Sequence, residues 1–496
     1  MISYRLIYSL WLVLAVLTAG AQRIGCVIPG DRAETRAGRY FLPDPYDFNP
    51  QTVYRQPVVL VSFNDMDFSM ADPQAYYDRV CNEKGYNEGV GLGCLADYFR
   101  EQSGGRLNLR FDVYGPVKVN KQSGGHGQEY HGLDIPPMAN EELRKLVQND
   151  FSIYDWDGDG MVNQVIFVLA GYSGNLKTGY AWPNTTSYSF KLPGDVPINY
   201  GSIITELWND GSVMGFGTIA HEFCHCLGLP DLYPLGNATA FSAVDEWDLM
   251  DGGNYTNKGW CPPNLSAMEK MYLGWGDPEE LTTETTITGM KSLSDGGKTY
   301  IIRNSGHPDE FYLLENRQQT GWDYGIPGQG LLIYHVDYTR DSWGNNQVNI
   351  SDTHYRYDLF HADGKNYLDW DPNNDGKDSQ KWSMPNCLRN IYLSTSPYPY
   401  ADNQSLTDSS SPAATLFTEN VQGKLFMSKS VTNILQAADG TISFDFMKEG
   451  TGIHGVKADE GHTPWYDLHG RQLPGEPQTP GLYINSGKLI LRQTHR

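Results

Sequence analysis

His221-Glu222-Phe223-Cys224-His225 constrains this chain more than any other stretch. On a helix, residues four apart project from one face a turn apart, so His221 and His225 can offer two imidazoles to one metal ion. Glu222 stands beside the first of them, where a carboxylate can serve as general base toward a metal-activated water. Phe216, Ile219, Ala220, Phe223 and Leu227 surround the polar face with apolar surface, the pattern of a buried helix. Gly228 comes next; glycine takes left-handed backbone without steric cost, so the helix is predicted to stop there and the chain to turn back toward the metal. Pro230 blocks any continuation.

Asp231 is then the candidate third ligand, through oxygen. Asp245, Glu246, Asp248 or a more distant Glu offer alternatives. An ordinary core helix with two hydrogen-bonded histidines competes with the metal reading. With 12 His in the chain, an accidental HExxH is expected in on the order of one per cent of such sequences; a glycine and an acid at fixed offsets make chance rarer still. The full string, HEFCHCLGLPD, has the spacing HExxHxxGxxD, similar to the metzincins but with a carboxylate where many of them carry a third His. Trp247-Asp248-Leu249-Met250-Asp251-Gly252-Gly253 places Met250 in a glycine-bounded turn, the position of the metzincin Met-turn beneath the metal. Tyr255, just beyond, is a candidate oxyanion donor.

The charge balance narrows the partners. With 37 Lys+Arg against 59 Asp+Glu and a net charge of -22, nucleic acid and anionic membrane surfaces are disfavoured. Residues 1–21 read as a signal peptide: Arg5, an apolar run, then Ala19-Gly20-Ala21 as a cleavage site. The run is shorter than the roughly 20 residues a spanning helix needs, so the expected product is secreted or on the cell surface, without stable membrane insertion. Export permits disulfides. The seven cysteines are an odd number, and Cys81 with Cys94, flanking a Gly-rich loop, form the candidate local bridge.

Along the chain, residues 22–56 look like a leader or short pro-segment. Strand signals at 58–63, 107–113 and 165–169 interleave with helix signals at 95–102 and 141–147, giving a catalytic unit over 57–280. Residues 281–449 change to short strand-like runs, at 300–303, 312–315, 331–336 and 442–446. Residues 450–496 form a separate short β module. The fold class expected from this order is α+β.

Further segments carry a family resemblance. Tyr98-Phe99-Arg100-Glu101-Gln102-Ser103, Asp157-Gly158-Asp159-Gly160, Leu265-Ser266-Ala267-Met268-Glu269-Lys270, Leu314-Glu315-Asn316-Arg317 and Gly330-Leu331-Leu332-Ile333-Tyr334-His335-Val336-Asp337 occur in order around the zinc-type helix. With that helix they make the chain resemble the immune inhibitor A family of metallopeptidases, a metzincin-like group, through most of 58–400. The resemblance implies a secreted zinc endopeptidase with His221, His225 and Asp231 as ligands and Glu222 as base. Family members often begin with a longer pro-region; here Cys26 is a candidate latency ligand, with Asp31 as the alternative. The tail, on Tyr466-Asp467-Leu468-His469-Gly470-Arg471 and residues 480–484, resembles sorting tails of secreted bacterial proteases, which implies contact with secretion machinery.

Asp155, Asp157 and Asp159 alternate with a glycine turn as in the first half of an EF-hand loop, a candidate calcium site; the distal Glu of that motif is missing. Residues 369–376 repeat the chemistry. The expected substrates are proteins or peptides, held extended against a sheet edge expected at 165–169. The competing readings are a noncatalytic adhesin or scaffold that keeps the metal, and a zinc hydrolase of nonpeptide bonds.

Overall fold

A computed structural model of the protein describes residues 47–88, 91–128, 130–235, 243–351, 353–365, 393–448, 464–485 and 487–492. The signal segment, Cys26, Asp31 and the acidic run at 369–376 lie outside the described residues. Within them, no helix is long and apolar enough to cross a membrane.

The first half is built on β1 (Val53–Ser62), α1 (Pro73–Asn82), α2 (Leu95–Gln102), β2 (Asn108–Lys118), α3 (Ile135–Leu146), β3 (Val162–Tyr172), β4 (Asn184–Ser187), β5 (Ile198–Leu207) and α4 (Gly217–Cys226). The strands form one sheet in the order β2-β1-β3-β5-β4. All neighbours run parallel except β4, which pairs antiparallel with β5. Strand side chains alternate between faces, and both faces of β1 are covered. Val58 and Leu60 join the core of α1, α2 and α4, while Val59 and Val61 join that of α3. That double coverage explains why 58–63 reads as an unbroken apolar run.

Two expectations are corrected. The 165–169 run is not a sheet edge: it lies in β3, hydrogen-bonded to β1 on one side and β5 on the other, and the edges are β2 and β4. Its apolar sequence reflects burial between two neighbours and two helical layers. Cys81 and Cys94 are not bridged; both are buried free thiols, as are the other cysteines among the described residues. Cys94 instead caps α2, its Sγ accepting the Asp97 backbone N–H at 3.4 Å, and burial pushes this thiol up to about 11. Helix α3 also begins earlier than the pattern at 141–147 suggested. Its first turn holds Pro136 and Pro137, which need no intrahelical donor there.

The second half opens with α5 (Ala267–Tyr272), followed by β6 (Glu279–Glu280), β7 (Thr285–Met290), β8 (Tyr300–Arg303), β9 (Glu310–Arg317), β10 (Gly330–Asp337), α6 (Arg340–Gly344), β11 (Tyr357–Leu359), β12 (Val431–Gln436) and β13 (Ile442–Phe446). A five-stranded sheet runs β11-β10-β9-β8-β6, and a three-stranded one β12-β13-β7. The tail contributes β14 (Trp465–Tyr466), β15 (Gln472–Leu473), β16 (Gly481–Asn485) and β17 (Lys488–Arg492), a small antiparallel sheet. The protein is thus mixed α/β with several sheets. The core that holds α4 continues through Phe311, Leu313, Leu332, Tyr334, Trp343 and Tyr357, so residues of both halves share one hydrophobic cluster with that helix.

Candidate metal centre

Every residue of α4 is buried, so the helix is held from all sides rather than along one stripe. Phe223 packs its ring on Phe99, Phe111 and Trp156, with centroids 4.7, 6.1 and 6.0 Å apart. Such burial of a Phe side chain contributes roughly 1.5–3 kcal/mol. At the helix start, Gly217 admits the segment at 253–259: a Cβ there would lie 2.2 Å from the Asn254 carbonyl oxygen. At the other end, Gly228 adopts φ +104°, and the Leu229 N–H returns to the Cys224 carbonyl at 3.0 Å. The turn expected from sequence is therefore present, and it directs Pro230 and Asp231 back toward the helix.

His221, His225 and Asp231 come together, with one potential ligand atom from each within 4.8 Å of the others. Asp231 Oδ1 lies 3.3 Å from His221 Nε2 and 3.2 Å from His225 Nε2. The opposite ring nitrogens are fixed by backbone carbonyls, His221 Nδ1 with Leu249 at 2.9 Å and His225 Nδ1 with Leu229 at 2.8 Å. Those contacts place the Nδ1 protons and turn both Nε2 atoms toward Asp231. His225 Nε2 and Asp231 Oδ1 are buried without a hydrogen-bond partner. Orphaned acceptors of this kind are costly unless something cationic lies between them, so the residues present fit a metal. Burial alone would raise the Asp231 carboxyl, yet the two imidazoles hold it well below the usual carboxylate range. Burial likewise opposes charge on His221, and Asp231 with Glu222 nevertheless raises it to about 9. Either way the pocket favours positive charge at its centre.

Glu222 is also buried, and its Oε2 accepts from the Thr185 hydroxyl on edge strand β4 at 2.7 Å. The base candidate therefore sits between the metal helix and the rim of the sheet. The turn at 248–251 supports the site through its backbone: Leu249 holds His221, and the Met250 carbonyl accepts the Leu232 N–H at 2.9 Å. The Met250 side chain is fully buried. Tyr255 places its hydroxyl against the Asn175 amide and its ring on Trp208. Another phenol, Tyr233, stacks parallel to His221 with centroids 6.4 Å apart. The carboxylates of Asp155, Asp157 and Asp159 do converge. Asp155 accepts the Gly158 and Gly160 N–H groups at 2.7 and 2.9 Å, and these bonds close the turn from within the chain.

Sequence patterns gave no sign of Thr185 or of a buried charge network behind the turn. Arg317 pairs with Glu315 at 2.8 Å and with Asp323 at 2.6 Å, all three fully buried, and Arg317 Nη1 donates to the Trp247 carbonyl at 3.2 Å. Asp248 lies beside Glu269, and burial together with the Asp248 charge pushes the Glu269 carboxyl well up.

A helix with paired histidines, a glycine turn and a carboxylate closing on both imidazoles makes a candidate metal centre. Residues 207–275 match the family described as immune inhibitor A peptidase M6, catalytic domain. The chain is 22% identical over 247 residues to the pre-pro-metalloprotease PrtV of Vibrio cholerae serotype O1, covering 42% of this chain and 27% of the relative. It is 23% identical over 292 residues to immune inhibitor A of Bacillus thuringiensis subsp. alesti, covering 47% of this chain and 42% of that protein. The chain thus spans less than half the length of these relatives. Its resemblance to the immune inhibitor A family of metallopeptidases is nonetheless established in the segment that carries the site.

Proposed function

We propose that this protein is a zinc-dependent endopeptidase acting on extended polypeptide, with Glu222 as its general base. The observation that carries the reading is the convergence of His221 Nε2, His225 Nε2 and Asp231 Oδ1 in a buried pocket beside a second carboxylate. Two imidazoles and one carboxylate suit zinc, whereas magnesium and calcium favour all-oxygen sets. Held by His221, His225 and Asp231, zinc would supply a Lewis acid able to activate water for attack near neutral pH. Glu222, oriented by Thr185, takes a proton at its carboxylate and returns it to the departing amine nitrogen. A substrate strand would add to β4, the short antiparallel edge whose Thr185 touches Glu222.

The purified full chain is expected to digest casein, to lose that activity to a chelator and to regain it with zinc. Casein left intact by zinc-loaded protein would favour a noncatalytic scaffold and end the enzymatic reading. Export rests on the signal-peptide pattern of residues 1–21 and on the resemblance of Tyr466–Arg471 and residues 480–484 to sorting tails. Its check is N-terminal sequencing of the mature chain, expected to begin at Gln22; a retained Met1 would remove it.

A further inference from the structure

The loop after α6 reaches the metal centre from the β-rich half. Asn346 lies there, 6% exposed, with φ +55°, a left-handed conformation that Asn tolerates better than most residues. Its side-chain amide meets Asp231 in both senses. Oδ1 accepts the Asp231 backbone N–H at 2.6 Å, and Nδ2 donates to Asp231 Oδ2 at 2.8 Å. A backbone N–H can only donate, so the oxygen must face it, and the amide orientation follows from its partners. Nearby, Asn349 Nδ2 donates to the Leu232 carbonyl at 2.8 Å, and the Leu235 N–H donates to the Asn349 carbonyl at 3.1 Å. Asp231, Leu232 and Leu235, on the return of the chain after Gly228, are thus each held by Asn346 or Asn349.

The clamp has a direct electronic and geometric consequence. With Oδ2 engaged by an amide, Asp231 can rotate only by breaking that bond, and Oδ1 is the oxygen left facing both Nε2 atoms. A neutral donor suits this place. A lysine would pair with the carboxylate charge and compete with a metal, and an acid would repel it. We propose that Asn346 is a positioning residue of the metal centre, selecting the ligating oxygen of Asp231, and that the centre is complete only when the β-rich half is packed against the turn after α4. The inference rests on the zinc reading above.

Two full-length variants test it. Asn346→Gly keeps the left-handed backbone and deletes the amide. Asn346→Asp keeps the shape and sets a carboxylate against Asp231 Oδ2. Zinc affinity is read by competition with a chromophoric chelator, and ligand geometry by the visible spectrum of the cobalt-substituted protein. Loss of an outer partner of a metal ligand typically costs 10–100-fold in affinity, so Asn346→Gly is expected to bind zinc roughly 10–100-fold more weakly, with an altered cobalt spectrum. Asn346→Asp is expected to bind more weakly still and carries the test if the glycine variant does not fold. The thermal midpoint of each metal-free variant, set beside that of metal-free wild type, separates loss of the clamp from loss of the fold: the zinc readouts are taken at a temperature where the metal-free variant is still folded. Wild-type affinity and spectrum in either folded variant would overturn the assignment. Wild-type protein that binds no zinc would overturn the proposed function instead.

Discussion

Replacing Glu222 with glutamine is expected to lower casein cleavage by roughly 10²–10⁴-fold, the usual contribution of a positioned general base, while zinc content stays at the wild-type level. Glutamine preserves the volume of a side chain that is 3% exposed, and its amide oxygen can still accept from Thr185. The change therefore removes proton transfer with little loss of packing. His221, His225 and Asp231 are untouched, so metal binding and activity should separate. The measurement is metal analysis by mass spectrometry beside initial rates on the same preparation. A variant that retains zinc and cleaves at the wild-type rate would remove Glu222 from the mechanism. A variant that loses zinc as well would make Glu222 a structural support of the centre rather than its base.

The divided result for sequence reading has a physical cause. The helix 217–226, its stop at Gly228 and the return to Asp231 were legible because all three depend on local chemistry: a repeat near 3.6, a left-handed residue, and a proline that blocks continuation. Strand positions were legible for the same reason, as with 300–303 and 442–446, which form β8 and β13 with those limits. Neighbours within a sheet were not. The apolar run at 165–169 says that a strand is buried, but burial on both faces is silent about its lateral partners, and the supposed edge proved central. The support of the metal site was equally hidden, since Asn346 meets Asp231 across 115 residues and carries no periodic signal. An asparagine in a Gly- and Asn-rich loop reads as a turn former. Only its fold neighbours give it another task. Cys94 misled in the reverse direction, because a cysteine beside a Gly-rich loop suggests a bridge, whereas here its sulfur takes the capping position normally filled by Ser, Thr, Asn or Asp.

Arg317→Met should destabilise the fold by about 3–5 kcal/mol, the cost of breaking a buried ion pair by removing one partner. Folded domains have only about 5–15 kcal/mol in total, so the loss is a large fraction of what holds the molecule together. Arg317 is fully buried, with Asp323 accepting from Nε and Nη2 at 2.8 and 2.6 Å and Glu315 from Nη1 at 2.8 Å. Burial opposes its charge, but Asp323 and Glu315 hold the guanidinium firmly protonated. Methionine fills much of the volume and leaves two carboxylates without their cation. The remaining donors cannot replace it: Tyr334 and the Ala267 N–H reach Glu315, and the Asn264 N–H reaches Asp323. Urea unfolding monitored by circular dichroism reads the change, and the triple variant Arg317→Met, Glu315→Gln, Asp323→Asn is expected to recover part of it by removing the stranded charges. An Arg317→Met midpoint equal to wild type would sink the argument. The same variant bears on the metal centre, because Arg317 also holds the Trp247 carbonyl at the head of the turn whose Leu249 carbonyl orients His221. Loosening that turn frees the His221 ring to rotate, so zinc affinity should fall together with stability, and should recover with it in the triple variant only as far as Trp247 regains a donor.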